Sequence, residues 1–195
     1  IQARLIPAEK VKVVYLGVPL DEFSRARSAD EVADVRRDLG INAGEFAIGT
    51  ITRLHESKGN SYLVDAAARV LRERPQAKFF LVGEGPLLPE LQAQAEGLGL
   101  GDRFVFAGFR RDVAGTLSAF DLSVFPSLWA GPPLQAFADL EMGKPIVSTD
   151  ADGLLDILTA DRDALIVPRR DSQALADTIV WAMDHPDVRA SLSGH

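Results

Sequence analysis

Two cations occupy the segment with the clearest capacity for chemistry, GTITRLHESKG, which runs from Gly49 to Gly59. The residues before it predict a strand and those after it a helix, so Arg53 and Lys58 fall in the turn between them. Amides at a helix start already favour an anion, and the two side chains add positive charge. A single Arg or Lys is more often a solvated loop cation. The joint placement beside Gly59 favours a site that grips a diphosphate.

Glycine-containing turns follow two other predicted strands. GEGP contains Gly83 and Gly85, which let the backbone turn sharply or approach a ligand closely. It lacks the third glycine of the dinucleotide-binding fingerprint, so a plain tight turn explains it equally well. In GFRRD, at 108–112, Arg110 and Arg111 add positive charge at the same predicted edge, and a solvated pair is an equal alternative.

A fourth candidate, from Pro126 to Pro145, combines a strand end, a loop rich in glycine and proline, and a short helix. Gly131 and the amides that follow it could approach a phosphate, and a tight connection beside a packed helix is the rival interpretation. Asp150 and Asp152 match an Asp-x-Asp pattern, which we interpret as a coincidence of spacing in a glycine turn. The histidines are too scattered to suggest a metal site, so none is expected.

Each of the four candidates stands at the end of a short run of β-branched or aromatic residues. Such runs are typical of strands buried on both faces of a sheet. Segments with helical spacing lie between most of the runs, and residues 21–42 predict a helix-containing connection. This alternation predicts a doubly wound α/β domain, with a mostly parallel sheet and helices on both faces. Ligands of such folds bind outside the carboxyl ends of the strands. The predicted strands cover residues 11–17, 46–51, 78–83, 103–108, 122–127, 145–150 and 164–168.

Length and composition narrow the class of protein. The 195 residues suffice for one substantial α/β domain and are too few for two of ordinary size. A net charge of −7 argues against nucleic acid as a partner, because duplex binding requires a surface rich in lysine and arginine. The absence of cysteine excludes disulfides and agrees with a cytoplasmic location. No apolar run reaches the roughly 18 residues that cross a bilayer, so we expect a soluble domain.

Together, the segments resemble glycosyltransferase family 4, retaining enzymes of the GT-B fold with two Rossmann-like domains. The resemblance covers nearly the whole chain and follows the family's order: LGVPLDEF near the interdomain linker, GTITRLHESKG, FFLVGEGP, FVFAGFRRDV, AFDLSVFPS, AGPPLQAF with MGKPIVSTD, and DGLLDIL. It implies that residues 1–195 form a single nucleotide-sugar-binding domain, the C-terminal half of a GT-B fold, with residues 1–20 as a linker-like start. Because the chain begins at Ile1 rather than methionine, we expect an acceptor-binding domain to precede it in a longer protein.

The resemblance also implies roles for particular residues. Arg53 and Lys58 match the catalytic cations that contact the diphosphate of a UDP-, GDP- or ADP-sugar and stabilise it as a leaving group. The loop from Phe109 to Val113 matches the one that holds the nucleobase, and the loop from Gly131 to Leu134 matches the one beside the donor sugar and phosphates. No cofactor and no divalent metal is implied. The expected donor-binding residues are Gly49, Gly83, Gly85, Phe109, Arg110, Asp112, Val113, Ala130, Gly131, Pro132, Pro133, Leu134 and Ala138.

Two positions depart from the family. Its glutamates before the phosphate-loop glycine and eight residues later are replaced by Ala130 and Ala138, so polar anchors for the donor sugar and the ribose are missing. Each lost hydrogen bond costs roughly 1–3 kcal/mol where its partner stays buried and unpaired. Asp139 and Glu141 are nearby, but we interpret both as ordinary helix-surface acids. Asp156 stands where the family often has a glutamate.

The first functional hypothesis is the donor domain of a retaining hexosyltransferase of polysaccharide biosynthesis. Its acceptor, a glycan or a lipid-linked saccharide, would bind to the domain missing from this chain, so the chain alone should not catalyse transfer. The alternative is a degenerate, non-catalytic GT-B binding module that has lost both glutamates. A GT-B sugar-nucleotide epimerase fits the ordered motifs less well. Any peripheral attachment to a membrane would come mainly from the missing domain.

Overall fold

The computed structural model describes residues 21–129 and 134–192. The predicted strand at 11–17 and the linker-like start lie outside this part of the chain. Within it, the apolar runs form six strands: β1 Phe46–Ile51, β2 Ala77–Val82, β3 Phe104–Gly108, β4 Leu122–Phe125, β5 Ile146–Thr149 and β6 Leu165–Val167. Every residue of β2, β4 and β5 is buried, as expected for strands covered on both faces of a sheet.

The described strands form one sheet in the order β3-β2-β1-β4-β5-β6, and each neighbouring pair is parallel. β1 and β2 pair along their whole length, from Phe46 opposite Ala77 to Ile51 opposite Val82. The chain builds outward from β1 to β3 and then returns to place β4 on the other side of β1. This reversal leaves a crevice outside the carboxyl ends of β1 and β4, where ligands of doubly wound folds bind.

Helices connect the strands on both faces of the sheet. In the described ranges they are α1 Asp21–Ser24, α2 Ala29–Asp38, α3 Asn60–Glu73, α4 Leu88–Gly97, α5 Val113–Ser118, α6 Leu134–Glu141, α7 Asp152–Leu155, α8 Ser172–Asp184 and α9 Pro186–Leu192. Short 3-10 turns occupy Glu56–Lys58 and Gly101–Arg103. Among these helices, none combines the length and the apolar character needed to span a lipid bilayer.

Two apolar layers hold the helices in place. On one face, α3, α4, α8 and α9 pack against strand residues such as Ile48 and Leu81. On the other, α2, α5, α6 and α7 cover the sheet, and the rings of Phe80 and Phe120 stack with centroids 5.8 Å apart. Alternate residues of each strand face opposite layers, which requires both faces to be covered. The doubly wound α/β architecture predicted from the sequence is therefore confirmed.

Candidate functional site

Two adjoining cavities open at the crevice between the carboxyl ends of β1 and β4. The smaller, of about 470 Å³, runs from the end of β1 to the Lys58 turn and the end of β4. The larger, of about 690 Å³, extends towards the end of β2 and the loop after β3. Both have the following residues in their walls: Ile51, Thr52, Arg53, Leu134 and Gln135. One elongated ligand could therefore occupy both.

The smaller cavity contains the two predicted cations. Arg53 is exposed two residues after β1, and half-buried Lys58 ends the 3-10 turn. Burial and, to a lesser degree, the positive charge of Arg53 lower the pKa of the Lys58 ammonium. Neither cation forms an ion pair with another residue of the described ranges. The structure thus brings the pair together and leaves its charge available to an anion.

The backbone around Arg53 is fixed by its neighbours. Leu54 is fully buried, and its N–H donates to the carbonyl oxygen of Glu84 at 2.9 Å. Buried Asn60 donates from Nδ2 to the carbonyl oxygen of Arg53 at 3.4 Å. The carbonyl oxygen of Ser57 accepts from the N–H of Leu128 at 2.9 Å, which joins the Lys58 turn to the segment after β4. Because the backbone is held on both sides, both cations extend from a fixed main chain.

Three predicted donor-binding glycines occupy tightly packed backbone. A Cβ on Gly83 would lie 1.9 Å from the carbonyl oxygen of Thr52, and one on Gly85 would lie 2.3 Å from that of Leu54. Both glycines therefore let the GEGP turn pack against the Arg53 segment, and Gly83 also lines the larger cavity. Gly49 lies within β1, where a Cβ would come within 2.0 Å of the Phe120 ring. Packing against that ring accounts for the glycine, Gly49 lines neither cavity, and its donor contact stays a prediction.

The larger cavity is mainly apolar and receives part of the predicted nucleobase loop. Phe109, at 67% exposure, stands at its edge with Val113 and Arg110. Arg110 is also ion-paired with Asp38. Asp112 was predicted to bind donor, but its carboxylate accepts from the N–H of Gly115 at 2.7 Å and pairs with Arg27 at 2.7 Å. It caps α5 and lines neither cavity, so a donor contact of this residue stays a prediction.

The structure describes only part of the predicted phosphate loop. Ala130, Gly131, Pro132 and Pro133 lie outside the described residues. Leu134, the first residue of α6, is 47% exposed and lines both cavities. Ala138, at one of the two positions that lack the family's glutamate, is buried in the wall of the larger cavity. Its methyl group offers no polar contact there.

Asp139 of α6 is a buried carboxyl group beside the site. It was interpreted as a helix-surface acid, yet it is fully buried and accepts a hydrogen bond from the Ser123 hydroxyl on β4. Burial raises the pKa of Asp139 to about 7, against the opposite influence of the Ser123 hydroxyl, the Gln135 amide and the Lys144 ammonium. The earlier interpretation is therefore wrong for Asp139. For Glu141, which is exposed, it is confirmed.

Arg169, which the sequence did not single out, organises the edge beside the site. Its Nε donates to Asp150 Oδ1 at 3.0 Å, and Nη2 donates to Asp152 Oδ1 at 3.1 Å. Nη1 donates to the carbonyl oxygen of Leu128 at 3.1 Å. The Asp-x-Asp pattern is thus paired with a guanidinium. Within residues 21–129 and 134–192, no group of three or more His, Cys, Asp or Glu side chains could hold a metal ion.

Asp156, at the family's other acidic position, is an exposed residue that ends α7. It lines neither of the two cavities at the crevice. The structure thus gathers Arg53, Lys58, Gly83, Phe109, Arg110, Val113, Leu134 and Ala138 around the crevice. Gly49 and Asp112 line neither cavity.

Comparison with known sequences gives consistent relatives. The sequence profile of the family described as glycosyl transferases group 1 matches residues 45–185. The chain is similar to the lipopolysaccharide core biosynthesis glycosyltransferase LpsD of Rhizobium meliloti (strain 1021), with 33% identity over 97% of this chain and 55% of LpsD. It is 26% identical to the alpha-D-kanosaminyltransferase of Streptomyces kanamyceticus, over 96% of this chain and 49% of that protein. The chain therefore spans about half the length of the curated relatives it matches.

Solved structures agree with the sequence comparison. The crystal structure of Anabaena HepE in complex with UDP and glucose superposes with a TM-score of 0.87 and 28% identity, over 96% of this chain and 51% of that one. The C-terminal domain of the group 1 glycosyl transferase LpcC from Francisella tularensis gives a TM-score of 0.79 over 91% of this chain and 93% of that domain. At 24% identity, the LpcC match shows the fold alone.

Proposed function

Because the chain belongs to the glycosyl transferases group 1 family, we propose that it binds the nucleotide-diphosphate sugar of a retaining hexosyltransferase. The observation that carries this proposal is that Arg53 and Lys58 lie together in the wall of the smaller cavity, at the crevice between β1 and β4. No carboxylate of the described residues forms an ion pair with either cation. A diphosphate supplies the negative charge that this pair lacks. It would occupy the smaller cavity.

The larger cavity fits the other end of the same ligand. Its wall contains Ile51, Val82 and Val113, with Phe109 at the edge, and therefore suits the flat apolar face of a nucleobase. HepE, with 28% identity, was crystallised with UDP and with UDP-glucose, which makes a uridine nucleotide the first candidate. GDP- and ADP-sugars remain the alternatives to compare with it.

The proposed chemistry needs little beyond electrostatic stabilisation. The bond between the anomeric carbon and the diphosphate oxygen breaks, and the acceptor hydroxyl bonds to that carbon from the same face. The hydroxyl proton passes to the departing diphosphate. Negative charge grows on the diphosphate as the bond lengthens, and Arg53 and Lys58 stabilise it more strongly in the transition state than in the bound donor. The pair thus supports catalysis as well as binding.

We propose that the acceptor is a glycan or a lipid-linked saccharide. LpsD is named for lipopolysaccharide core biosynthesis, which supports an acceptor of this class. Since the chain spans about half of its relatives, the acceptor would be held by sequence that corresponds to their other half. A cytoplasmic location, with the full protein at a membrane surface, is part of the same proposal.

A non-catalytic GT-B binding module is the second candidate function. Ala138 favours it, because this position in the cavity wall carries a methyl group where family 4 has a glutamate. Sugar transfer by a longer protein containing this chain would exclude the module. Analysis of the anomeric configuration of the product would test retention, and a donor isomerised without acceptor would indicate an epimerase instead.

Isothermal titration of the chain with UDP, GDP and ADP tests the donor site directly. We expect saturable binding of one nucleotide and a loss of affinity of at least tenfold in Arg53→Ala and in Lys58→Ala. Arg72→Ala is the matched control, because Arg72 is an exposed cation of α3 outside both cavity walls. Absence of binding by the wild type, or equal losses in all three variants, would refute the proposed site.

A further inference from the structure

Gln135 on α6 is a polar residue in the wall of the site. It lines both cavities, and neither Oε1 nor Nε2 forms a hydrogen bond with a described residue. Asp139 lies one helical turn further along, and the Gln135 amide interacts with its carboxyl without forming an ordinary hydrogen bond, which acts to lower the pKa of that carboxyl. A buried amide without a hydrogen bond is unfavourable, so a ligand that pairs with it gains affinity relative to one that does not.

The position of Gln135 between the cavities determines which part of a ligand it can meet. The smaller cavity contains the cations Arg53 and Lys58, and the larger has Phe109 at its edge. A nucleoside diphosphate with its diphosphate at the cations and its base beside Phe109 places the pentose between them. Gln135 and Arg53 are both common to the two walls, so the pentose would lie beside them.

The chemistry of an amide suits a pentose better than a diphosphate or a base face. A carboxamide has two N–H donors and a carbonyl acceptor, and a pair of neighbouring hydroxyl groups presents both kinds of partner. The alternative polar anchor on this helix is absent, because Ala138 contributes only a methyl group to the wall. The Gln135 amide atoms are shielded from bulk water, so contact with a pentose requires rotation about the side-chain torsions of Gln135.

From this placement we infer that Gln135 binds the ribose hydroxyls of the donor nucleotide, in place of the carboxylate that position 138 lacks. This inference rests on the proposed donor site. It makes Gln135 a specificity-determining residue that distinguishes ribonucleotides from deoxyribonucleotides.

Titration with UDP, 2′-deoxy-UDP and 3′-deoxy-UDP, repeated with GDP analogues if GDP is the bound nucleotide, tests the inference. The wild type should bind the ribonucleotide about tenfold more tightly than at least one deoxy analogue. Gln135→Met keeps the side-chain length and removes the amide, so its affinity for the ribonucleotide should fall to that for the analogue. Gln173→Met, an exposed glutamine on α8, should keep the wild-type preference.

Thermal unfolding of Gln135→Met checks that the variant folds, and its midpoint should stay close to that of the wild type, because the amide forms no ordinary hydrogen bond with a described residue. Should the variant unfold, Gln135→Leu replaces it in the same titration. Failure of the wild type to bind any nucleotide refutes the proposed function together with this inference. Tight wild-type binding with an unchanged ribose preference in the Gln135 variants overturns the inference and leaves the proposed function standing.

Discussion

Gly83 lies directly against the backbone of Thr52: a Cβ at residue 83 would come within 1.9 Å of the Thr52 carbonyl oxygen. The φ angle of Gly83 is 129°, which side-chain-bearing residues rarely adopt. The turn after β2 thus supports the segment that presents Arg53 to the smaller cavity. Gly83, which also lines the larger cavity, therefore packs against the segment that contains Arg53.

Gly83→Ala should therefore destabilise the chain by about 3 kcal/mol, because the methyl group creates both a backbone clash and a strained φ. Urea unfolding measures the change. Gly97→Ala is the matched control, since Gly97 ends α4 and a Cβ there would meet no atom within 4 Å. That substitution should stabilise slightly. Equal stability of the two variants would contradict the packing argument.

Phe109→Ala should weaken nucleotide binding about tenfold while leaving stability unchanged. The ring is 67% exposed, so it contributes little to the core, whereas an aromatic ring stacked on a base contributes roughly 1–3 kcal/mol. Titration with UDP and with inorganic pyrophosphate distinguishes its role from that of the cations. The substitution should lower affinity for UDP alone, while Arg53→Ala should lower both.

Leu98→Ala serves as the control for Phe109, because Leu98 is a 44% exposed apolar residue at the end of α4. Its nucleotide affinity should match the wild type. A Phe109 variant that also binds UDP like the wild type would show that the ring does not contact the base.

Arg169→Met should lower the free energy of unfolding at pH 7, because four acceptor atoms lose their donor. Burial alone would raise the pKa of Asp150, but hydrogen bonds from Arg169 hold it below its ordinary value. That stabilisation is present above the unfolded pKa near 4 and is lost as pH falls through the folded pKa. The difference from the wild type should therefore shrink in acid.

Urea unfolding at pH 7 and at pH 3 measures this difference. Arg170→Met is the control, since Arg170 is exposed and has no ion pair among the described residues. If both variants lost the same stability at both pH values, the Arg169 interactions would not stabilise this edge.

The fold could be predicted because its signals are local. A strand buried on both faces is apolar along most of its length, so a run such as KFFLVG indicates by itself that it forms a buried strand. The positions of Arg53 and Lys58 followed from the same logic, since the carboxyl ends of parallel strands share one edge. No knowledge of distant contacts was needed for either conclusion.

The unpredicted features all depend on which strands become neighbours. Asp139 could be recognised as buried only once Ser123 of β4 was known to lie beneath α6. Arg169 meets Asp150 because β5 and β6 are adjacent, and Gly49 needs the Phe120 ring 71 positions away. An acid on a helix, an Arg after a strand and a Gly within a strand each have a common local explanation. The sequence around Asp139, Arg169 and Gly49 therefore does not reveal their long-range contacts.

The raised pKa of Asp139 predicts a specific effect of pH on stability. With a pKa of about 7 in the fold and about 4 in the unfolded chain, the folded state binds more protons between these values. The free energy of unfolding therefore falls as pH rises from 4 to 7, and the stabilisation is fully present only below the unfolded pKa. Asp139→Asn removes this titration and keeps an oxygen that accepts from the Ser123 hydroxyl.

Relative to the wild type, Asp139→Asn should gain stability progressively from pH 4 to pH 7, reaching about 2–4 kcal/mol near pH 8. Chemical unfolding at half-unit pH intervals measures the free energy of unfolding of both proteins. The titration of the other carboxylates contributes equally to both values and cancels in their difference. Glu141→Gln, on the exposed side of the same helix, should show no such trend. Parallel pH profiles for Asp139→Asn and the wild type would mean that Asp139 is ionised in the fold at neutral pH, and that Gln135 then lies beside a buried negative charge.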